Sequence, residues 1–286
     1  MSEPPRIAVI GLTGDTVFMG VPRFHTGGET VHAADFHREF GGKGFNQAVA
    51  AARQGACVSL LTAIGAEDED RLRRFLRSEG IDGLLAVRDV PSAHATILTD
   101  GTGETRVTVF PGAALEASDV DRFAEKIGSA DILLLNNEVP EPVNLRAAEI
   151  ARARGVKIVF NPAPARPLPD LLLSATYLFT PNEFEEASVA DVSGEVVTTL
   201  GAAGCRIRST GGMIGAVDCG KPVDSTGAGD TFTAVLAVRI AEGAGLADAC
   251  RAANEAAGKS VTVRYVLPSI PYRGSSGVRP KSGVMV

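Results

Sequence analysis

The chain has 286 residues, of which 45% are hydrophobic and 22% charged, a composition typical of a soluble globular protein with one large or two modest domains. Its formal net charge of −6 argues against nucleic acid or an anionic membrane as a partner, and no apolar run reaches the roughly 20 residues that span a bilayer. The widely spaced cysteines form no CxxC motif, which predicts a reduced, cytoplasmic protein without a zinc site; they are Cys57, Cys205, Cys219 and Cys250.

The first part of the chain mixes strand patterns of two kinds with two helices. An apolar strand at 7–10 is followed by short alternating pieces over 13–40, which predict exposed strands and turns. Beyond them we expect a small-residue helix at 47–54, a strand at 58–64, an amphipathic helix at 68–80 and a hairpin at 96–110. Because 13–40 and 94–110 are similar in character, we expect them to pair as a small sheet that stands off the core as a lid.

Strands and helices alternate in the second part of the chain. Strands are predicted at 131–135, 156–160, 176–179 and 196–200. Helices are predicted near 118–128, 143–154, 230–243 and 246–258. This rhythm predicts an α/β fold with a mainly parallel central sheet. The tail over 274–286 lacks apolar periodicity, and we expect it to be disordered.

A glycine-rich turn precedes the helix predicted at 230–243. Residues 224–232 read Asp-Ser-Thr-Gly-Ala-Gly-Asp-Thr-Phe. Such a turn can aim several backbone N–H groups at one point, and the helix dipole favours negative charge there. Asp230 therefore lies where an anion would bind, and a carboxylate in that place suits a base that activates a nucleophile for phosphoryl transfer.

A second glycine cluster begins an earlier helix. Residues 41–47 read Gly-Gly-Lys-Gly-Phe-Asn-Gln, in which Lys43 offers a positive charge and Asn46 can hydrogen-bond a hydroxyl. A plain strand-to-helix turn with a solvated lysine explains the same residues. The spacing is not that of a Walker A loop, and residues 11–14 do not form GxGxxG. The two clusters together indicate a site for a polyphosphate and a polyhydroxyl acceptor.

Both clusters resemble the two signature motifs of the ribokinase-like (PfkB) carbohydrate kinases. Four further stretches are similar to the ribokinase branch, namely 28–31, 161–166, 180–185 and 268–271. The resemblance covers residues 6–273 and implies a three-layer α/β/α fold with a mainly parallel central sheet and a small β-sheet lid. It assigns 1–12, 41–93 and 111–273 to the α/β catalytic core, 13–40 and 94–110 to the lid, and 274–286 to the tail.

The resemblance implies roles on the acceptor side of the site. Asp230 would take the proton from the sugar hydroxyl, and the backbone N–H groups of Gly227, Ala228 and Gly229 would form the anion hole. Contacts to the sugar are implied for Gly42, Lys43, Asn46 and Glu138, with Asp15 and Thr16 as further candidates. A solvated position in the loop after the strand 131–135 is the alternative for Glu138.

The resemblance implies roles on the nucleotide side as well. Asn182, Thr199, Gly201 and Asn254 would lie along the nucleotide, and Glu185 would act on Mg²⁺ through water. A helix N-cap with its first-turn acid explains Asn182 and Glu185 equally well. Asp224 and Thr226 match positions that hold a monovalent cation, usually K⁺.

Three departures from the family pattern stand out. Gly14 and Thr16 replace the Asn and Asp of a sugar-binding N-x-D, and Asp15 lies one position away, where a strand turns its side chain to the other face. Tyr265 replaces a residue of the cation loop that is usually glycine. The segment 186–198 is too short for the helix that the family commonly has there.

The sequence therefore predicts an ATP- and Mg²⁺-dependent kinase that phosphorylates a primary hydroxyl of a small sugar. A nucleoside kinase is one alternative, in which Phe18, Phe24 and Phe36 are candidates to pack against the nucleoside base. A sugar- or nucleotide-binding protein without turnover is another. The resemblance also implies a homodimer that forms through the lid.

Overall fold

The computed structural model describes residues 3–275, which form two β-sheets and the helices around them. The strands are β1 (Arg6–Ile10), β2 (Gly14–Gly20), β3 (Asp35–Gly41), β4 (Cys57–Gly65), β5 (Asp82–Arg88), β6 (Ala93–Thr99), β7 (Thr105–Phe110), β8 (Ile132–Asn136), β9 (Lys157–Asn161), β10 (Thr176–Phe179), β11 (Glu195–Thr199), β12 (Cys205–Ile207) and β13 (Met213–Ile214). The helices are α1 (Lys43–Arg53), α2 (Glu69–Glu79), α3 (Ala117–Arg122), α4 (Ala124–Gly128), α5 (Glu141–Arg154), α6 (Asp170–Ala175), α7 (Ala228–Ala241), α8 (Leu246–Ser260) and α9 (Val266–Ser269).

The larger sheet has the strand order β13-β12-β11-β10-β9-β8-β1-β4-β5. Its strands from β11 to β5 are parallel, and β12 and β13 add an antiparallel edge. Helices cover both faces of this sheet. Alternate side chains of β1 accordingly pack into two different hydrophobic cores, one on each face. Ile7 and Val9 pack with α1, α2, α7 and α8, whereas Ala8 and Ile10 pack with α3 to α6. The predicted three-layer α/β/α architecture with a mainly parallel sheet is confirmed.

The smaller sheet has the order β3-β2-β6-β7. Its central pair, β2 and β6, is parallel and joins the two segments that were expected to pair. The expectation that 13–40 holds exposed strands is wrong for β2, whose residues 14–18 are buried. They lie between the flanking strands and the core, so their alternating polar residues do not indicate contact with water.

Some elements differ from the predictions. The helix expected at 118–128 is two short helices, because the regular hydrogen-bond pattern is interrupted at Phe123, whose N–H donates to the carbonyl of Val120 across 3.0 Å. β5, β12, β13, α6 and α9 were not predicted, since each is short or carries a pattern interrupted by polar residues. No helix within residues 3–275 has the length and hydropathy to cross a membrane. Of the tail that we expected to be disordered, 276–286 lies outside the described residues.

Candidate active site

The two glycine-rich helix starts lie side by side at the carboxyl ends of the parallel strands. Asp230 stands in the first turn of α7, and both of its oxygens accept hydrogen bonds from α1. The side-chain amide of Asn46 donates across 2.8 Å, and that of Gln47 across 3.4 Å. Ligands of open α/β sheets bind at this edge. The structure thus brings together two motifs that the sequence separates by more than half of the chain.

Glycine is required where α1 begins. Gly42 has a φ of 112°, and a Cβ on it would lie 2.4 Å from the carbonyl oxygen of Leu12. A Cβ on Gly44 would lie 2.4 Å from the Cα atom of Gly11, at the end of β1. Both distances are shorter than any real Cβ contact, so only glycine lets α1 start directly against the sheet.

Asp230 is only 5% exposed. Burial raises the pKa of its carboxyl group, while the positive charge of Lys43 and the amides of Asn46 and Gln47 favour the carboxylate. A carboxylate with a raised pKa is a stronger base than one in water, and it remains directional because its oxygens are held by α1. Gln47 was not among the residues predicted from the sequence, although it directly follows Asn46 in the motif.

Glu138 lies against the start of α1 and not in open solvent. Its Oε2 accepts the backbone N–H of Lys43 across 2.6 Å. Its own N–H donates to Asn136 Oδ1 across 3.0 Å, and Asn144 donates to the carbonyl of Asn136 across 2.8 Å, which fixes the loop after β8. Burial, together with the nearby charge of Asp230, raises the pKa of Glu138 to about 7.

Lys43 is partly buried among carboxylates, which disfavours its interpretation as a solvated lysine. Asp230, with smaller contributions from Glu138 and Glu185, raises the pKa of its ammonium group. Lys43 therefore stays positively charged next to the acidic groups. Its position suits a cation that offsets negative charge brought into the site.

The turn over 224–229 leads directly into α7. Gly227 has a φ of 76°, and a Cβ on it would lie 2.5 Å from Val266 Cγ1, so this position also requires glycine. The N–H of Ala228 donates to the carbonyl of Ser225 across 3.2 Å. Of the three backbone N–H groups expected in the anion hole, that of Ala228 therefore already has a partner within the turn. We call residues 224–229 the phosphate turn.

A cleft of about 570 Å³ begins at the phosphate turn and extends between β11, α7 and α8. It brings together three residues that the sequence placed along a nucleotide, since Thr199, Gly201 and Asn254 line it with Ala228 and Gly229. The amide of Asn254 donates to the backbone carbonyls of residues 214 and 215 across 2.9 and 3.1 Å. This residue therefore holds the wall of the cleft.

Asn182 and Glu185 form a reciprocal pair. Asn182 Oδ1 accepts the N–H of Glu185 across 3.0 Å, and Glu185 accepts both the N–H and the side-chain amide of Asn182, across 3.0 and 2.9 Å. These hydrogen bonds are those expected of a helix N-cap with its first-turn acid, which was the alternative given for Asn182 and Glu185. Between Glu185 and β11 the helical structure is limited to a short 3₁₀ helix at 186–189, in agreement with the missing helix. Both interpretations stay open because the charge of Glu185 also acts on Lys43.

The carboxylate of Asp224 organises the backbone of two loops. Its Oδ1 accepts the N–H of Thr226 across 2.9 Å, and its Oδ2 accepts the N–H of Tyr265 across 3.0 Å. Tyr265 has a φ of 66°, a conformation that glycine would adopt easily, although this chain has a tyrosine there.

Asp15 is held by basic side chains on β3, α2 and β6, the last of them His94 at 3.2 Å. It is 5% exposed and binds Arg38 across 2.8 Å and Arg71 across 2.5 Å. Burial opposes its ionisation, but hydrogen bonds from the two arginines hold the pKa of Asp15 below its usual value. Thr16 faces the other side of β2, where a Cβ on Gly41 would lie 2.5 Å from its Oγ1.

Comparison with known proteins agrees with this geometry. A sequence profile described as pfkB family carbohydrate kinase matches residues 5–273. Ribokinase from Haemophilus influenzae is 33% identical over 93% of this chain and 95% of its own length. The bifunctional ribokinase/ribose-5-phosphate isomerase A from Fructilactobacillus sanfranciscensis is 30% identical over 94% of this chain, which spans only 55% of that relative. The solved structure of Arabidopsis thaliana ribokinase complexed with ribose and ATP is 26% identical, with a TM-score of 0.85 over 95% of this chain and 97% of that chain.

The profile match extends over nearly all of the described residues, and the fold matches that of a ribokinase. The family resemblance carried by the two glycine-rich motifs is thereby confirmed. This chain belongs to the pfkB family of carbohydrate kinases, which makes it a phosphotransferase with an alcohol group as acceptor.

Proposed function

We propose that the chain transfers the γ-phosphoryl group of ATP to a primary hydroxyl of a small sugar, with Asp230 as the base. One observation carries the proposal. The Asp230 carboxylate, held by Asn46 and Gln47, lies in the first helical turn beyond the phosphate turn, on which the 570 Å³ cleft begins. An acceptor beside Lys43 and a nucleotide in the cleft would therefore meet at this carboxylate.

The reaction follows from this arrangement. Asp230 accepts the hydroxyl proton as the hydroxyl oxygen bonds to the γ-phosphorus, and the bond from phosphorus to the β-phosphate oxygen breaks to release ADP. The N–H groups of Gly227 and Gly229, with that of Ala228 when Ser225 releases it, stabilise the charge on the transferred group. Lys43 adds a positive charge on the acceptor side.

The acceptor pocket offers both donors and acceptors of hydrogen bonds. Asn46 Oδ1 is buried and has no partner within residues 3–275, since the amide nitrogen points to Asp230. A sugar hydroxyl can donate to it. Glu138 supplies a second acceptor beside Gly42 and Lys43. Thr16 supplies one hydroxyl where the family pattern has a carboxylate, which favours an acceptor other than ribose.

The donor side fits a nucleotide with Mg²⁺. The Arabidopsis relative is complexed with ATP, and the cleft here is lined by Thr199, Gly201 and Asn254. Mg²⁺ usually keeps several waters and binds through one or two carboxylates plus substrate phosphates. The described residues contain no cluster of three acidic, His or Cys ligands, so the single carboxylate of Glu185 fits an indirect role through water.

A monovalent cation fits less well. Both oxygens of Asp224 already accept backbone N–H groups, from Thr226 and Tyr265. K⁺ at this place would need the remaining lone pairs of Asp224 and backbone carbonyls of the two loops. We therefore propose K⁺ as an activator and not as a requirement.

The small sheet is proposed as the lid over the acceptor, within the boundaries 13–40 and 94–110. Its edge strand β7 is exposed along its whole length, including Val107, Val109 and Phe110. An exposed apolar edge of this kind is usually covered, and a second copy of the chain through a lid-to-lid homodimer would cover it. Size-exclusion chromatography with light scattering tests this, and a monomer at all concentrations would exclude it.

The phenylalanines considered for a nucleoside base have separate partners. Phe18 packs edge-on against Tyr265, Phe24 lies under the guanidinium of Arg106, and Phe36 is 63% exposed. The three rings do not line one shared surface against which a base could stack. No contact of these residues therefore favours a nucleoside over a sugar.

A panel of acceptors tests the proposed function. Purified chain is incubated with Mg·ATP and pentoses, hexoses, deoxy sugars and nucleosides, and ADP formation and the phosphorylated product are measured. We expect turnover with at least one sugar and loss of turnover in Asp230→Asn. Turnover with nucleosides alone would support the nucleoside kinase, whereas tight binding without any product would support the non-catalytic alternative.

A further inference from the structure

Tyr265 holds a backbone conformation that side-chain-bearing residues rarely adopt. Its φ is 66° and its ψ is 163°, and within residues 3–275 it is the one non-glycine residue with a positive φ. Glycine would adopt this conformation without strain. Strain of this kind persists only where the surrounding contacts over-determine it, so the ring of Tyr265 must supply contacts that glycine cannot.

Those contacts reach the small sheet. The ring of Tyr265 stacks on His37 of β3, with centroids 3.9 Å apart and an interplanar angle of 14°. The ring also packs against Phe18 of β2 in a T-shaped arrangement, with centroids 5.3 Å apart, and its hydroxyl donates to Asp35 across 2.6 Å. Burial and this hydrogen bond raise the pKa of Tyr265 to about 12, so the hydroxyl stays a donor at neutral pH.

The backbone of the same residue reaches the phosphate turn. The N–H of Tyr265 donates to Asp224 Oδ2 across 3.0 Å, and Asp224 Oδ1 accepts the N–H of Thr226. The neighbouring Val266 packs on Gly227 so closely that a Cβ there would lie 2.5 Å from its Cγ1. A displacement of Tyr265 would therefore move groups that contact Asp224 and Gly227 of the phosphate turn.

A second link runs parallel to the first. Glu39 of β3 is 2% exposed, and its carboxylate accepts the backbone N–H groups of Val266 and Leu267 across 2.8 and 3.2 Å. His37 lies 3.0 Å from the same carboxylate. β3 is thus attached to the segment 265–267 both through the ring of Tyr265 and through Glu39.

We propose that Tyr265 is a positioning residue that couples β3 of the small sheet to the phosphate turn. A nucleotide that orders the phosphate turn would then also stabilise β3, and by reciprocity a ligand held under the small sheet would favour nucleotide binding. The inference rests on the proposed function, since it needs a nucleotide at the phosphate turn. It adds a physical connection between the lid and the donor side, in which the strained Tyr265 supplies one link and Glu39 the other.

Hydrogen–deuterium exchange of the full chain tests the coupling without knowledge of the sugar. Exchange of residues 35–41 is compared with and without saturating Mg·ADP, whose binding is measured by calorimetry. In the wild type we expect Mg·ADP to slow this exchange about fivefold. In Tyr265→Gly we expect Mg·ADP to bind and the slowing to fall to about twofold or less, because only the link through Glu39 remains. Tyr265→Phe, which keeps the stacked ring and loses the bond to Asp35, should give an intermediate value.

Tyr177→Phe is the matched control, since that half-exposed tyrosine lies on β10 of the larger sheet, with the ammonium group of Lys157 over its ring. It should behave as the wild type. Circular dichroism checks each variant, and Tyr265→Phe carries the test if Tyr265→Gly fails to fold. Equal slowing in the wild type and the folded Tyr265 variants would overturn the coupling, as would bound Mg·ADP without slowing in the wild type. If Mg·ADP does not bind to the wild type, the proposed function fails and the coupling with it.

Discussion

The side-chain amide of Asn46 donates to Asp230 across 2.8 Å and so joins two helix starts that lie 184 residues apart in the sequence. Each helix start needs glycine, because a Cβ would meet the backbone of residues 11–12 at α1 and the side chain of Val266 at α7. The hydrogen bond therefore connects two rigidly placed elements. The proposed base, held in this way, needs little reorganisation when an acceptor arrives.

Asp230→Asn should reduce kcat by about 10²–10⁴-fold, the contribution typical of a general base. The substitution keeps the size of the buried side chain and removes a charge that burial disfavours, so the thermal midpoint should not fall. Steady-state kinetics with the best acceptor, and calorimetry with Mg·ADP, measure both effects. Wild-type turnover in this variant would exclude Asp230 as the base.

Gln47→Met should shift the acidic limb of the rate profile to higher pH. The amide of Gln47 donates to Asp230 Oδ1 across 3.4 Å and favours the carboxylate, so its removal raises the pKa of the base further. The matched control is Gln54→Met at the end of the same helix, where the amide donates to the carbonyl of Pro271. The profile of kcat/KM against pH should move in the first variant alone; unchanged profiles in both would show that Gln47 only packs.

Glu138→Gln should make stability less dependent on pH. The pKa of Glu138 is about 7 in the folded chain, against 4.5 for a free glutamate, so the folded state binds the proton more tightly. Its contribution to stability is present below about pH 4.5 and is lost as the pH rises through 7. The side chain of Glu138→Gln does not titrate, so the variant does not lose stability in this pH range. In the wild type this loss of stability is at most about 3 kcal/mol.

Urea unfolding at pH 5 and pH 8 measures the effect. The free energy of unfolding of Glu138→Gln, relative to the wild type, should be higher at pH 8 than at pH 5. Glu183→Gln, at an exposed position, is the control and should follow the wild type at both values. Parallel behaviour of Glu138→Gln and the wild type would contradict the raised pKa.

Asp15→Asn should lower the free energy of unfolding by about 2–4 kcal/mol at neutral pH without a large change in the KM for the acceptor. The substitution leaves the partly buried Arg71 and the more exposed Arg38 without their shared carboxylate. Because the pKa of Asp15 is lowered, this stabilisation is present above the ordinary pKa of aspartate and is lost in acid.

The control is Asp82→Asn. The side chain of Asp82 forms an ion pair with Lys126 across 2.5 Å, but it is 62% exposed. An exposed pair contributes only about 0–1 kcal/mol, so this variant should unfold nearly as the wild type. A large rise in KM with unchanged stability would show instead that Asp15 contacts the acceptor.

Local patterns predicted the centre of the larger sheet well. β8 and β9 are continuous apolar runs that are buried on both faces, and such runs are recognisable without knowledge of their neighbours. β2 was harder, since residues 14–18 include polar side chains and are nevertheless buried. Its burial depends on β3 and β6, which pair with it from either side.

The sequence by itself determined the family, the alternation of strands and helices, and the two glycine-rich helix starts with their acid and their lysine. Those features depend on neighbours within a few residues, because backbone conformation and the direction of a helix dipole are local properties. Only the tertiary structure decided that Asp15 faces two arginines, that Glu138 lies at Lys43, and that Tyr265 connects β3 to the phosphate turn. Each of these depends on the face that a side chain presents and on a partner far away in the sequence, which packing alone brings within reach.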